Sequence, residues 1–162
     1  MEQQEDWRFP NWLKKLFPSA GYSGTAQKYA EGPSNGFGDK NVAQNDRTVF
    51  VVDDEPVIAQ TLAVILNNVG FCARAFDHPQ KAMEAAKLAA PQLLISDVVM
   101  PGMTGIELGV HFRSTYPDCK ILLFSGQAST ADLLETARKE GHDFDLLTKP
   151  VHPADLLAKL RG

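Results

Sequence analysis

Cysteine is scarce. Cys72 and Cys119 are the only two in 162 residues, too few for a disulfide framework in a chain of this size. They sit in the apolar segments FCARAF and CKILLF, and are expected to be two buried free thiols of a reduced cytoplasm. Long hydrophobic runs are missing: none approaches the roughly 20 residues of a membrane span. The N-terminus, MEQQED, is acidic and has no apolar core, so it does not read as a secretory signal. Positive charge is not in excess. Lys and Arg number 16 against 20 Asp and Glu, a net charge of −4, which argues against broad nucleic-acid binding through a clustered positive field. What is there is ordinary globular composition, 44% hydrophobic and 22% charged. It has room for one domain with a real core and not for two large ones.

Composition shifts near residue 47. Residues 1–46 are rich in Gly, Ser, Pro, Asn and Gln, and from 18 to 46 show neither helical nor strand periodicity, so a flexible N-terminal extension is expected. Within it Trp7–Pro18 (WRFPNWLKKLFP) holds both tryptophans, with Arg8, Lys14 and Lys15 and no acid. Such an apolar stretch reads as a docking motif for a partner groove. A membrane-surface anchor is the less favoured reading, and folding back onto its own domain is the bland one.

From 47 to 162 short apolar runs alternate with helical patterns. Strands are expected at Thr48–Val52, Phe71–Phe76, Leu93–Ser96, Lys120–Phe124 and Phe144–Leu147. The β-branched run TVFVV marks the first as buried on both faces. Between them, Val57, Ile58, Leu62, Ile65, Leu66 and Val69 recur at helical spacing before a stop at Gly70. Helices follow at His78–Ala89, Gly105–Thr115, Ala131–Lys139 (capped by Ser129) and Ala154–Leu160. Five strands alternating with five helices predict an α/β fold, a parallel sheet with helices on both faces.

In such a sheet, ligands gather at the carboxyl ends of the strands. Strand one ends in Asp53-Asp54, strand three in Asp97, strand four in Ser125-Gly126 and strand five in Lys149-Pro150. Three carboxylates, a hydroxyl and an amine are thus predicted on one rim. Neighbouring carboxylates repel, so they share protons or hold a cation. Oxygen donors without sulfur or imidazole favour a hard ion, Mg²⁺ or else Mn²⁺. Asp can then act as a phosphoryl acceptor, with Lys149, Ser125 and the N–H groups of Val98 and Gly126 as donors to phosphoryl oxygens. The four histidines, His78, His111, His142 and His152, show no metal-ligand spacing. Met100 and Met103 read as packing residues.

The pieces VVDDEP, DVVMPGMTG, FSG and TKP, in this order, resemble the receiver domain of two-component response regulators. Each alone is weak; together, one per strand end, they are specific. The resemblance covers residues 47–162 and none of the extension. It implies a flavodoxin-like doubly wound sheet of order 2-1-3-4-5. It implies that Asp97 is the phosphoacceptor, Asp53 and Asp54 the metal-binding pair with Asp54 as the direct ligand, and Val99 a ligand through its backbone carbonyl. Ser125 then resembles the switch hydroxyl and Lys149 the phosphoryl-contacting lysine, with a cis Lys149–Pro150 bond. It further implies Mg²⁺, a cytoplasmic setting, and a histidine kinase or His phosphotransfer protein as phosphodonor.

Leu146 departs from the family pattern, which has an aromatic switch residue there. Phe144, two residues earlier, would share its strand face and partly substitute. Neither Val99 nor Gln127, at the positions that set phosphoryl lifetime in the family, is an acid able to orient water, so slow autodephosphorylation is expected. No helix-turn-helix, kinase core or cyclase pattern is present, and no DNA-binding domain is expected. The leading reading is a stand-alone receiver, monomer or weak homodimer, that catalyses only its own phosphorylation and dephosphorylation and signals through an unidentified protein partner. The alternatives are a phosphorelay intermediate passing phosphate to another His protein, a Mg²⁺-dependent phosphatase, and a phosphorylation-independent scaffold. Val99, two after Asp97, speaks against the phosphatase, because it cannot serve as a general acid.

Overall fold

Five short apolar segments form one parallel sheet in the order β2-β1-β3-β4-β5. The structure, a computed structural model, describes residues 47–126 and 130–161. The extension 1–46 with Trp7–Pro18, the lifetime position Gln127 and the cap Ser129 lie outside the described residues. The strands are β1 (Thr48–Val52), β2 (Cys72–Phe76), β3 (Leu93–Asp97), β4 (Lys120–Ser125) and β5 (Asp145–Thr148). The helices are α1 (Pro56–Asn68), α2 (Pro79–Leu88), α3 (Gly105–Thr115), α4 (Thr130–Lys139) and α5 (Pro153–Arg161). The expected α/β architecture is the one observed.

The central strands are apolar because both of their faces are covered. Val49 and Val51 face a cluster with Leu62 and Leu66 of α1 and Leu156 and Leu160 of α5. Phe50 and Val52 face the other side, with Ala82 and Ala86 of α2 and Leu108 and Phe112 of α3. The edge strands read differently: Cys72 and Arg74 of β2 are exposed, and so are Asp145, Leu146 and Thr148 of β5. This corrects the expectation of two buried thiols. Cys119 is buried just before β4, whereas Cys72 is exposed, because β2 has a neighbour on one side only. Both thiols are free, as expected. The helical face of α1 also shifts: Val57 and Val69 are exposed, and the buried face runs through Ala59, Leu62, Ala63, Ile65 and Leu66.

Element ends follow their chemistry. Gly70 ends α1 at φ +97°, a conformation open to glycine. Pro79 opens α2, with His78 as cap residue. A signal missed in the sequence, T-x-x-E, forms a capping box at α3: Glu107 N–H donates to Thr104 Oγ1 at 3.1 Å, and Thr104 N–H donates to Glu107 Oε2 at 2.7 Å.

Candidate functional site

The sheet register sets the level of each rim residue. Val52 pairs with Ser96, Asp97 with Phe124 and Ser125 with Thr148. Asp53 and Asp97 therefore leave their strands at one height, with Ser125 one residue and Lys149 two residues further along. Backbone bonds extend the ladders past the strand ends: Asp53 N–H donates to Phe76 O at 3.1 Å, and Lys149 N–H donates to Ser125 O at 2.8 Å. The Lys149–Pro150 peptide is cis.

The predicted side chains converge. Carboxylate oxygens of Asp53, Asp54 and Asp97 lie within 4.8 Å of one another. Lys149 Nζ donates to Asp53 Oδ2 at 3.2 Å and lies 3.4 Å from Asp97 Oδ2. It also sits 4.8 Å above the Phe124 ring centroid, whose face favours a cation. Asp54, Asp97, Val99, Ser125, Gly126 and Lys149 line one open cleft of about 580 Å³. Asp53 is fully buried beneath it, whereas Asp54 is exposed. The bland role of Asp53 is present too, since its Oδ1 accepts the Glu55 N–H at 2.9 Å at the start of α1.

Charge in the cluster is unbalanced: three carboxylates face one ammonium. Burial pushes the Asp53 carboxyl up to about 6 and outweighs the Glu55 N–H and Lys149, while Asp97 adds repulsion. Asp97 is raised by burial as well; Lys149 and the Val99 N–H oppose the shift, and Asp54 adds to it. A cluster of oxygen donors short of positive charge is the chemistry that a hard divalent ion fits. Asp53, Asp54 and Asp97 would hold it.

Two sequence expectations about this site change. The Val98 N–H is not a free donor: it donates to Phe124 O at 3.1 Å and closes the sheet. The backbone N–H that opposes the upward shift of the Asp97 carboxyl is that of Val99. Phe144 does not serve as a rim aromatic in place of Leu146. It is buried ahead of β5, against the α carbon of Gly109, with the Arg113 guanidinium 4.3 Å above its ring. Leu146 is itself 37% exposed. Met100 is buried and Met103 packs against the same cluster, as expected.

Sequence reading missed two residues of the site. Thr130 opens α4, is 2% exposed and places Oγ1 2.6 Å from Ser125 Oγ. Its hydroxyl type five residues after Ser125 was the available signal. Gly105 is the other: a Cβ there would run into the Asp97 carbonyl oxygen. The α3 N-terminus thus packs directly on the backbone of Asp97, with Gly105 N–H donating to Val98 O at 2.9 Å.

A 2-1-3-4-5 parallel sheet with an acid cluster and a lysine at its carboxyl rim defines a flavodoxin-like α/β module with a charged site at the strand ends. A family model described as the response regulator receiver domain matches residues 49–161, and the chain belongs to that family. The probable transcriptional regulatory protein TcrX of Mycobacterium tuberculosis is 30% identical over 115 residues, 71% of this chain and 48% of that protein. The transcriptional regulatory protein CreB of Escherichia coli is 30% identical over 114 residues, 70% of this chain and 49% of that protein. The chain spans half or less of the length of such curated relatives. Among solved structures, the chemotaxis protein CheY4 of Vibrio cholerae superimposes with a TM-score of 0.62 at 30% identity, covering 72% of this chain and 97% of that one. Family members are phosphorylated signalling modules rather than metabolic enzymes. Among the described residues, no helix is long and apolar enough to cross a membrane.

Proposed function

We propose that this receiver accepts a phosphoryl group on Asp97 from a histidine kinase or His phosphotransfer protein. The observation that carries the reading is the convergence of Asp53, Asp54, Asp97 and Lys149 on the cleft that Ser125 also lines. An Asp97 carboxylate oxygen forms the new O–P bond as the donor's N–P bond breaks, and the donor imidazole takes up a proton. Lys149 holds a phosphoryl oxygen and Ser125 donates to another; the 3.4 Å between Lys149 Nζ and Asp97 Oδ2 supports the first role. Mg²⁺ held by Asp53, Asp54, Asp97 and the Val99 carbonyl would supply charge neutralisation. The domain unit is 47–162, and the extension 1–46 presents Trp7–Pro18 to a partner protein; its clustered aromatics and unopposed Arg8, Lys14 and Lys15 support that role.

Phosphorylation would shift a two-state equilibrium in the segment after β4 and in α4. The output is a protein contact; onward transfer to a second His protein is the other reading. The test is labelled transfer from a phosphohistidine protein with Mg²⁺. Label on the parent and none on Asp97→Asn supports the reading, and label on both contradicts it. Label that then leaves for a second His protein favours the relay.

A further inference from the structure

Ser125 has two neighbourhoods. It lines the cleft with Asp97 and Lys149, and its Oγ lies 2.6 Å from Thr130 Oγ1. Both residues are buried, at 5% and 2% exposure. A short bond between two buried hydroxyls is directional, because each has one proton to give and two lone pairs to receive. Low local polarity strengthens it and makes its loss costly. Thr130 is also the first residue of α4, and of that helix Thr130 and Ala137 are the buried residues. The rest of α4 meets the body through partly buried positions such as Leu134, while Leu133 is 43% exposed. The Ser125–Thr130 bond is thus a direct polar link between the rim and an otherwise lightly anchored helix. No aromatic ring of β5 makes such a link, since Leu146 is exposed and Phe144 is held against α3.

We propose that Thr130 is a positioning residue for Ser125: its hydroxyl donates to Ser125 Oγ, leaving the Ser125 proton for an oxygen in the Asp97 cleft and tying that choice to helix α4. The inference rests on the phosphoacceptor reading of Asp97 and adds the route by which the rim addresses α4. When Ser125 donates into the cleft, it still accepts from Thr130. The pair then moves together, and α4 follows its first residue.

The test compares Thr130→Val, which keeps the volume but removes the donor, with Thr130→Ser, which restores it. Two quantities are read: the rate of Mg²⁺-dependent phosphorylation by acetyl phosphate, and the α4 amide shifts on adding BeF₃⁻ with Mg²⁺. Thr130→Val is expected to slow phosphorylation by about three- to tenfold, the worth of one buried hydrogen bond, and to shrink the α4 shifts by at least half. Thr130→Ser is expected to recover both. In a Ser125→Ala background, Thr130→Val is expected to add nothing, since the two act as one unit. Should Thr130→Val not fold, Thr130→Ala takes its place with the same expectations. Parent-like values for Thr130→Val, simple addition of the two losses, or failure of Thr130→Ser to recover overturns the proposal. A parent that takes up no phosphoryl group overturns the Asp97 reading and this one with it. A phosphorylated parent with an indifferent Thr130 overturns this one alone.

Discussion

Asp53 has the least favourable electrostatics of any residue at the rim. Its carboxylate is fully buried, and its pKa is held up to about 6 by that burial. A carboxyl whose folded pKa lies above its unfolded value binds protons more tightly when folded. The metal-free protein therefore loses stability through this group as pH rises from about 4 to about 6. Asp53→Asn should remove that slope. It should raise the metal-free stability at pH 8 by about 1–3 kcal/mol and abolish stabilisation by Mg²⁺, both read by urea unfolding. A lower stability for the variant would mean that the Lys149 and Glu55 contacts outweigh burial. The thiols give a second residue-level prediction. Burial pushes the Cys119 thiol up to about 11, while Cys72 lies exposed on the edge strand. One thiol should react with an aromatic disulfide reagent at pH 8 in the folded protein, and two in denaturant. At this scale the sequence was legible where a residue type has few uses. Asp97, Lys149 and the Asp53-Asp54 pair could be placed by their positions at strand ends. The exposure of Cys72 was signalled only by Arg74, two residues on and so on the same strand face; nothing local says that β2 is an edge.

The element packed against Asp97 is the N-terminus of α3, docked on the Asp97 backbone. Gly105 permits this approach, since a Cβ would collide with the Asp97 carbonyl oxygen and stand 3.0 Å from Ser96 Oγ. Gly105→Ala should cost about 1–3 kcal/mol in urea unfolding, and should slow phosphorylation by acetyl phosphate because the loop after Asp97 must shift. Unchanged stability and rate would show that the loop yields freely. On the same face of the sheet as α3, Leu94 is fully buried in β3. Leu94→Ala should cost about 2–5 kcal/mol without altering the chemistry of the folded fraction. Bounds of α3 were readable to the residue because Gly105 and the end at Thr115 frame a clear periodic run. The exposure of Val57 on α1 and of Val69 just after it escaped reading for a physical reason. Almost every position of PVIAQTLAVILNN is apolar or neutral, so the helical period does not single out one face. The engagement of the Val98 N–H likewise depends on the register of β3 against β4, a pairing no local pattern encodes.

At the scale of the whole molecule, two helices cover one face of the sheet and three the other, which leaves the carboxyl rim open. Four of the five strands, β1, β3, β4 and β5, deliver their ends to the site on that rim, and the fold holds acids there that would otherwise repel. That logic was legible early, because strand ends and loop residues are read from composition breaks. The contact between rim and helix was not, since Ser125 and Thr130 meet only once α4 is in place. The same logic makes a cation stabilising: at 100 times its dissociation constant, Mg²⁺ should add about 2.7 kcal/mol to folding, seen as a rise in melting temperature that Asp53→Asn lacks. The central claim is that the rim makes Asp97 a phosphoacceptor. Its most direct test is the intact mass of the protein after incubation with acetyl phosphate and Mg²⁺, beside Asp97→Ala. One added phosphoryl group on the parent and none on the variant is the predicted result. Equal mass gain on both, or none on the parent under conditions that phosphorylate another receiver, would contradict it.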